Sequence, residues 1–242
     1  MKFVFAMTFI LLQTGAFKEH QQKFDRVKQA YTEKEEVVRG YFRQRRVKFE
    51  GFHLFIRAFK KEQKLEAWVC EKGKDEYTLL AIYNFCSSSG VLGPKRKEGD
   101  LQIPEGIYQI NHFNPQSNFH LSLGINYPNA SDKILSDQRH PGGAIYIHGN
   151  CVTVGCIPIT DDKIKELYIL AVEARNNGQT SIPVHIFPSA LDPTSFSTLQ
   201  TEYKNTPALL TFWKGLEPIY TDFEKTKKLR AVHVNKKGEY HF

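Results

Sequence analysis

The sequence predicts an α+β protein: a mostly β-strand domain with a helical segment before it and a helical extension after it. Short β-rich runs separated by turn residues recur over residues 50–125, which is typical of a strand-rich domain. Residues 18–46 and 160–177 instead repeat apolar residues near the 3.6-residue period of an amphipathic helix. With 242 residues, 41% hydrophobic and 24% charged, the chain can bury a large core in one domain with appendages.

The first residues have the pattern of a secretory signal. Lys2 precedes an almost wholly apolar run over residues 3–12, and Thr14-Gly15-Ala16 offers small residues for a cleavage site. We therefore expect a signal peptide at residues 1–16 and export to the periplasm or cell envelope, with no stable membrane span after cleavage. An uncleaved anchor or a buried first helix is the alternative.

The chain carries a formal net charge of +7. Its Lys and Arg residues are scattered among acids, as in residues 60–62 and 72–76, which is typical of a solvated surface. We therefore expect no nucleic-acid partner. A modestly basic surface would be attracted to an anionic polymer such as a cell-wall mesh.

Residues 17–49 are the predicted N-terminal helical segment. One helix is predicted over residues 18–46, with its apolar face packed on the domain. The residues that define this face are Phe24, Val27, Tyr31, Val38 and Phe42.

Residues 50–188 are the predicted central domain. Its strands are expected at residues 53–59, 64–70, 77–83, 106–113, 119–124, 144–148 and 183–188. A helix is expected from the N-cap Thr160 to about Asn177, with Gly178 as its stop. Residues 189–242 form a predicted helical C-terminal extension, whose helices open at Asp192-Pro193 and at Pro207.

The segment 144–160 carries the candidate chemistry. His148 ends an apolar strand, and the pair Gly155-Cys156 follows after a short loop. A thiol nucleophile needs a base and backbone N–H donors for the developing oxyanion. We predict Cys156 as the nucleophile, His148 as the general base and acid, and the N–H groups of Gly155 and Cys156 as the oxyanion donors.

Two loops are expected near these residues. Residues 126–143 are rich in turn-forming residues and predict a loop that arches over the site. His140 in this loop is the best candidate for a residue that supports the base. The polar segment 87–100 contains Lys95-Arg96-Lys97, which are either solvated or in contact with substrate carboxylates.

The alternative to catalysis is metal binding or simple packing. His148, Cys151 and Cys156 lack zinc-site spacing, and we expect neither a metal nor a cofactor. Cys156 must stay free to react. Cys151 is expected to pack as a small hydrophobe, with a redox role left open, and the pairing of Cys70 and Cys86 cannot be read from sequence.

Four ordered motifs resemble the L,D-transpeptidase (YkuD-type) catalytic domain, in its YafK-like branch. They are His148-Gly149 followed by residues 153–157 (Thr-Val-Gly-Cys-Ile), residues 104–108 (Pro-Glu-Gly-Ile-Tyr), residues 92–100 and residues 119–128. The resemblance covers roughly residues 50–188. The chain departs from the broad family at Thr153, Val154 and Pro158, where Ser, His and Arg are usual.

The resemblance implies a function and roles for residues. It implies a murein L,D-transpeptidase that acylates Cys156 with a peptidoglycan stem peptide. The backbone carbonyl of Gly149 would orient His148, for which the Asn150 side chain is another candidate, and Thr153 would support the site. Hydrolysis of the same kind of bond, as in an L,D-carboxypeptidase, endopeptidase or amidase, is left open, as is a wall-linked protein as substrate. The departures also leave open a non-catalytic wall-binding scaffold.

Overall fold

A computed structural model describes residues 15–242. Most of the predicted signal peptide therefore lies outside the described residues. Within residues 15–242, no helix is both long and apolar enough to cross a membrane.

The described chain contains helices and strands, as the predicted α+β class requires. The helices are α1 (Ala16–Gln21), α2 (Asp25–Arg45), α3 (Ala130–Leu135), α4 (Thr160–Asn176), α5 (Pro193–Glu202) and α6 (Pro207–Thr226). The strands are β1 (Phe52–Phe59), β2 (Lys64–Glu71), β3 (Thr78–Asn84), β4 (Gly106–Asn114), β5 (Ser122–Ile125), β6 (Tyr146–His148), β7 (Ile157–Pro158), β8 (Pro183–Phe187), β9 (His233–Val234) and β10 (Tyr240–His241).

One sheet of eight strands forms the centre, in the order β3-β2-β1-β8-β4-β5-β6-β7. The pairs β1–β8 and β6–β7 are parallel and the other neighbours are antiparallel. The short β6–β7 pair at one end of this sheet carries the candidate site.

Side-chain alternation along β1 shows how the sheet is covered on both faces. Leu54, Ile56 and Ala58 belong to the larger core, which includes the apolar residues of α2 and α4. Phe59 points to the other face, where it joins a second core that contains Trp213 of α6. The sheet therefore has helices on both faces, and the C-terminal extension covers one of them.

The N-terminal segment contains two helices and not the single helix predicted over residues 18–46. Helix α1 ends at Gln21, and α2 begins only at Asp25. Phe24 between them has an extended backbone and packs against the larger core. The extended backbone of Phe24 separates the two helices, and its partly buried ring packs on the same core as α2.

Two further local predictions need correction. Residues 126–143 are not only a loop, since they contain α3, which Asn129 and Asp132 begin with reciprocal side-chain bonds to backbone N–H groups. Thr160 is the first residue of α4 and not its N-cap, although its Oγ1 still accepts from the Lys163 N–H at 3.3 Å. Strand β7 and the hairpin β9–β10 were not predicted, whereas α5 and α6 begin at Pro193 and Pro207 as expected.

Glu105, in the Pro-Glu-Gly-Ile-Tyr motif, connects the C-terminal extension to the central domain. Its carboxylate is fully buried and accepts from the Gly93 N–H at 2.7 Å and from the Trp213 indole N–H at 2.7 Å. The Lys60 ammonium lies 3.0 Å away. A buried charge needs such partners, so α6 completes the surroundings of this motif.

Candidate active site

Strands β6 and β7 bring the two candidate catalytic residues onto neighbouring chain segments. Ile147 lies beside Ile157 and His148 beside Pro158. Both isoleucines belong to the larger core, so the period of two places the side chains of His148 and Cys156 on the opposite face. The N–H of Tyr146 donates to Cys156 Sγ at 3.4 Å, which fixes the thiol at the start of β7.

His148 is buried, with 1% of its surface exposed. Its Nδ1 contacts the Gly149 carbonyl oxygen, and its ring stacks on Phe119 with 4.6 Å between the ring centroids. A carbonyl oxygen can only accept, so Nδ1 carries the hydrogen and Nε2 keeps its lone pair. Burial lowers the pKa of His148, and the bond to Gly149 partly offsets this, so the imidazole is neutral at neutral pH.

Gly149 is a glycine because its surroundings leave no room for a side chain. A Cβ at this position would lie 2.5 Å from Asp161 Oδ1 and 2.9 Å from the Phe119 carbonyl oxygen. Asp161 Oδ1 also accepts from the Asn150 N–H at 2.7 Å. The first turn of α4 therefore holds the backbone that follows His148.

The Asn150 side chain does not orient His148. Its Oδ1 accepts from the Cys151 N–H at 2.6 Å and makes no hydrogen bond to the imidazole. His140 makes no hydrogen bond to His148 either, since it is exposed and its backbone N–H donates to Asp137. Asp161 and Phe119 are the neighbours of the site that sequence reasoning missed. Asp161 had been interpreted only as an acid suited to a helix N-terminus. Residue 119 begins one of the four motifs, but the motif did not indicate that the Phe119 ring stacks on His148.

Cys156 is half-buried. Its Sγ accepts from Tyr146 and lies 3.7 Å from the Ala144 carbonyl oxygen, to which the thiol donates. Burial raises the pKa of the Cys156 thiol, while the Tyr146 N–H and the charge of Lys95 act in the opposite direction. The resting thiol is therefore protonated at neutral pH, and no hydrogen bond joins it to His148.

Thr153 closes the turn that leads to Cys156. Its Oγ1 accepts from the Cys156 N–H at 2.8 Å and from the Gly155 N–H at 3.2 Å, and donates to the Cys156 carbonyl at 2.8 Å. Gly155 has a φ of 128°, which a side chain would disfavour. The two N–H groups predicted as oxyanion donors are thus bonded to a hydroxyl group in this conformation.

Cys151 is bonded to Cys86 in a disulfide, so the prediction that it packs as a small hydrophobe is wrong. The two meet because Cys86, after β3, donates its N–H to the Pro158 carbonyl in β7 at 3.0 Å. This places Cys86 beside the loop between His148 and Cys156. Cys70 and Cys156 are free thiols.

The basic residues of the 87–100 loop have structural partners. Lys95 is buried, and its ammonium donates to Asp100 Oδ1 at 2.6 Å and to the Lys97 carbonyl at 2.9 Å. Arg96 pairs with Asp132 at 3.1 Å. Only Lys97 of the three is exposed. The cluster as a whole is therefore neither solvated nor free to contact substrate carboxylates, which were the two alternatives from the sequence.

Within residues 15–242, no three side chains of His, Cys, Asp or Glu are grouped so that they could hold a metal ion. The chemistry available at the site is that of a thiol, a neutral imidazole and backbone N–H groups.

Comparison with known proteins identifies the family. A sequence profile of the L,D-transpeptidase catalytic domain (YkuD) matches residues 54–186. YafK of Escherichia coli (strain K12), itself only provisionally assigned to the L,D-transpeptidases, is 35% identical over 186 residues, which are 76% of this chain and 72% of YafK.

Two solved structures are also similar. The helical cell shape determining protein Pgp2 from Campylobacter jejuni matches with a TM-score of 0.45 at 18% identity, covering 76% of this chain and 73% of Pgp2. Bd1075 from Bdellovibrio bacteriovorus matches with a TM-score of 0.41 at 22% identity, covering 72% of this chain and 60% of Bd1075. The matches to the profile and to YafK confirm the resemblance seen in the motifs, and the chain belongs to the YkuD family of L,D-transpeptidase catalytic domains.

Proposed function

We propose that this protein is a cysteine acyltransferase that acts on peptidoglycan stem peptides, with Cys156 as nucleophile and His148 as general base. One observation carries the proposal. The Gly149 carbonyl contacts Nδ1 of a buried, neutral imidazole, which leaves Nε2 as the basic nitrogen, one strand away from the free thiol of Cys156. Family membership supplies the substrate class.

The first half-reaction forms a thioester. Cys156 Sγ attacks the carbonyl carbon at the L-centre of the diamino acid in a donor tetrapeptide, and the thiol proton passes to His148 Nε2. The tetrahedral intermediate then collapses, the C–N bond breaks, and His148 returns the proton to the leaving amine of D-alanine. Burial disfavours separated charges on either group, so proton transfer accompanies the attack and does not precede it.

The second half-reaction releases the acyl group. An acceptor amine attacks the thioester carbon, His148 takes a proton from this amine, and the regenerated thiol leaves with that proton. The product is a new amide bond between two stem peptides. Water in place of the amine gives a tripeptide by hydrolysis, and the choice depends on how the loops exclude water.

A non-catalytic, wall-binding role is the second candidate, and Thr153 is the reason to retain it. Its hydroxyl occupies the N–H groups of both Gly155 and Cys156. An oxyanion needs at least one of these donors, and the loss of one such donor typically costs about 10²–10³ in rate. Catalysis therefore requires the substrate oxygen to displace the hydroxyl from the amides.

We place this activity outside the cytoplasm, in the periplasm or cell envelope. The Cys86–Cys151 disulfide supports this location, because disulfides persist mainly in oxidising compartments. A protein covalently attached to the wall peptide is a further substrate consistent with this location.

Mass spectrometry of purified disaccharide-tetrapeptide incubated with the protein tests the proposal. Cross-linked dimers indicate transfer, and tripeptide alone indicates hydrolysis. Cys156→Ala is the inactive control, and Cys70→Ala is the matched control for removal of the other free thiol. Unchanged substrate and no acyl adduct on Cys156, together with retention on purified wall sacculi, would support the non-catalytic role.

A further inference from the structure

We infer that the Cys86–Cys151 disulfide positions the catalytic base, by holding residues 149–151 so that the Gly149 carbonyl stays on Nδ1 of His148. The consequence for turnover rests on the proposed function. The consequence for the state of the imidazole rests on geometry alone, so the two can be tested separately.

Three anchors hold the backbone that follows His148. The Gly149 N–H donates to the Leu121 carbonyl at 3.2 Å, the Asn150 N–H donates to Asp161 Oδ1 at 2.7 Å, and Cys151 is covalently attached to Cys86. These anchors lie on three consecutive residues, and the first of these residues supplies the carbonyl that fixes the tautomer.

The disulfide connects this backbone to the strand of the nucleophile. Cys86 is itself fixed, because its N–H donates to the Pro158 carbonyl in β7 at 3.0 Å. Pro158 is also the residue beside His148 in the β6–β7 pair. The disulfide therefore links the backbone that follows His148 to β7, the strand that already pairs with β6.

The loop between His148 and Cys156 is not held in place by buried side chains. Asn150 and Cys151 are exposed, and Val152 and Val154 expose 54% and 74% of their surface. Asn150 has a φ of 61°, a left-handed conformation that asparagine adopts more readily than other residues with a side chain, so this backbone is a turn and not part of a strand. A loop with so few buried contacts would move readily, and the covalent bond restrains it.

Reduction of the disulfide should therefore leave the His148 imidazole in place but release the backbone that fixes its tautomer. A dithiol reductant supplies two electrons and two protons, leaves Cys86 and Cys151 as thiols, and itself becomes a disulfide. The carbonyl of Gly149 then no longer stays on Nδ1, so the imidazole populates both tautomers. Only the tautomer with hydrogen on Nδ1 can accept the thiol proton at Nε2.

The test compares the wild-type protein, before and after reduction, with the Cys86→Ser/Cys151→Ser double variant. We expect about a tenfold lower kcat with KM little changed after reduction, recovery on reoxidation, and a double variant that starts low and does not respond to the reductant. Cys70→Ala is the control for thiol removal and should respond to reduction like the wild type.

The imidazole ¹⁵N shifts of His148, assigned with His148→Gln, provide a readout that does not depend on activity. We expect hydrogen on Nδ1 alone in the oxidised protein and a tautomer mixture in the reduced protein. A double variant with full kcat and hydrogen still on Nδ1 would overturn the inference. If the double variant does not fold, the ¹⁵N shifts of the reduced wild-type protein test the inference instead, and hydrogen still on Nδ1 alone would overturn it. A wild type with no turnover refutes the proposed function, while the shifts still decide the role of the disulfide.

Asp161→Ala sharpens the test, because it removes the neighbouring anchor at Asn150. With the disulfide intact, we expect a loss of only a fewfold in kcat. In the reduced protein, we expect the same substitution to lower kcat by a factor at least ten times larger than in the oxidised protein. Neither Asp161 nor the disulfide then holds residues 150 and 151. Equal losses in the two redox states would show that the disulfide and Asp161 do not share this task.

Discussion

The two sides of the candidate site, around the proposed base His148 and around the proposed nucleophile Cys156, are built differently. His148 is buried, stacked on Phe119 and bonded through Nδ1 to Gly149, and the backbone that follows it is held by Asp161 and by a disulfide. Cys156 is half-buried, and the turn before it is closed by the single hydroxyl of Thr153.

This difference indicates which side must change when substrate binds. The His148 imidazole already has the tautomer that the proposed base requires, so on this proposal it needs no rearrangement. The N–H groups of Gly155 and Cys156 are engaged by Thr153, so the substrate oxygen must take over at least one of them. A neutral hydrogen bond contributes about 1 kcal/mol net, so such an exchange is energetically accessible. We expect substitutions at the two sides to differ accordingly.

Cys156→Ala should have the largest effect on the nucleophile side. No thioester can form without the sulfur, so we expect turnover to fall by about 10⁴-fold or more. The half-buried position tolerates a slightly smaller side chain, so the melting temperature should remain close to that of the wild type. Mass spectrometry of the acyl-enzyme locates the adduct in the active protein. Turnover that survives in this variant would show that Cys156 is not the nucleophile.

His148→Gln should have nearly as large an effect on the base side. The amide keeps a polar group in the buried position but cannot accept the thiol proton, so we expect a loss of about 10³-fold or more in kcat. The free thiol remains, so slow alkylation of Cys156 should still be measurable. A kcat within tenfold of the wild type would show that another group serves as the base.

Thr153 tests whether the resting turn supports or blocks the oxyanion donors. Thr153→Ser keeps the hydroxyl and should retain most activity. Thr153→Val has a similar shape but no hydroxyl, so the turn loosens, and we expect a loss of about 10- to 100-fold in kcat, below the largest cost of one oxyanion donor. A higher kcat in Thr153→Val than in the wild type would show instead that the hydroxyl only blocks the amides.

The sequence predicted seven of the eight strands of the large sheet, because these strands are β-rich runs bounded by turn residues. It missed β7, which is only two residues long, and it began β5 at residue 119 instead of Ser122. It predicted α5 and α6 for a similar reason, since Pro193 and Pro207 mark the first positions of these helices. The break at Phe24 was not predicted, because Phe24 also fits the helical period, and its extended backbone is visible only in the structure. Local patterns therefore identified elements better than the points where tertiary contacts end them.

The same limit applies to the candidate site. The motif predicted His148, Gly149 and Cys156 as site residues, because residue type and short spacing along the chain are enough to recognise them. The partner of Cys151 is 65 residues away in sequence, and the stacking of Phe119 on His148 joins different strands and loops. Such contacts depend on the sheet order, which a single sequence does not provide.

The smallest expected effect concerns the pH dependence of the base. A general base must be neutral, so activity is present above the pKa of His148 and is lost as the pH falls through it. Burial lowers this pKa below the usual value of about 6.5, so the acid limb of kcat/KM should lie at lower pH than expected for a solvent-exposed imidazole. Because the resting thiol is protonated and its pKa is raised, the profile should show no second loss up to about pH 8.5.

Phe119→Ala sharpens this prediction, because the ring that covers the imidazole is removed while Gly149 still contacts Nδ1. Water then reaches His148, the desolvation that lowers its pKa is reduced, and the acid limb of kcat/KM should move to higher pH by a fraction of a unit. Phe119→Leu keeps an apolar cover and should leave the limb close to its wild-type position. An equal shift of the acid limb in both variants would show that the aromatic ring, and not apolar cover in general, lowers the pKa of His148. No shift in either variant would show that burial by Phe119 does not set this pKa.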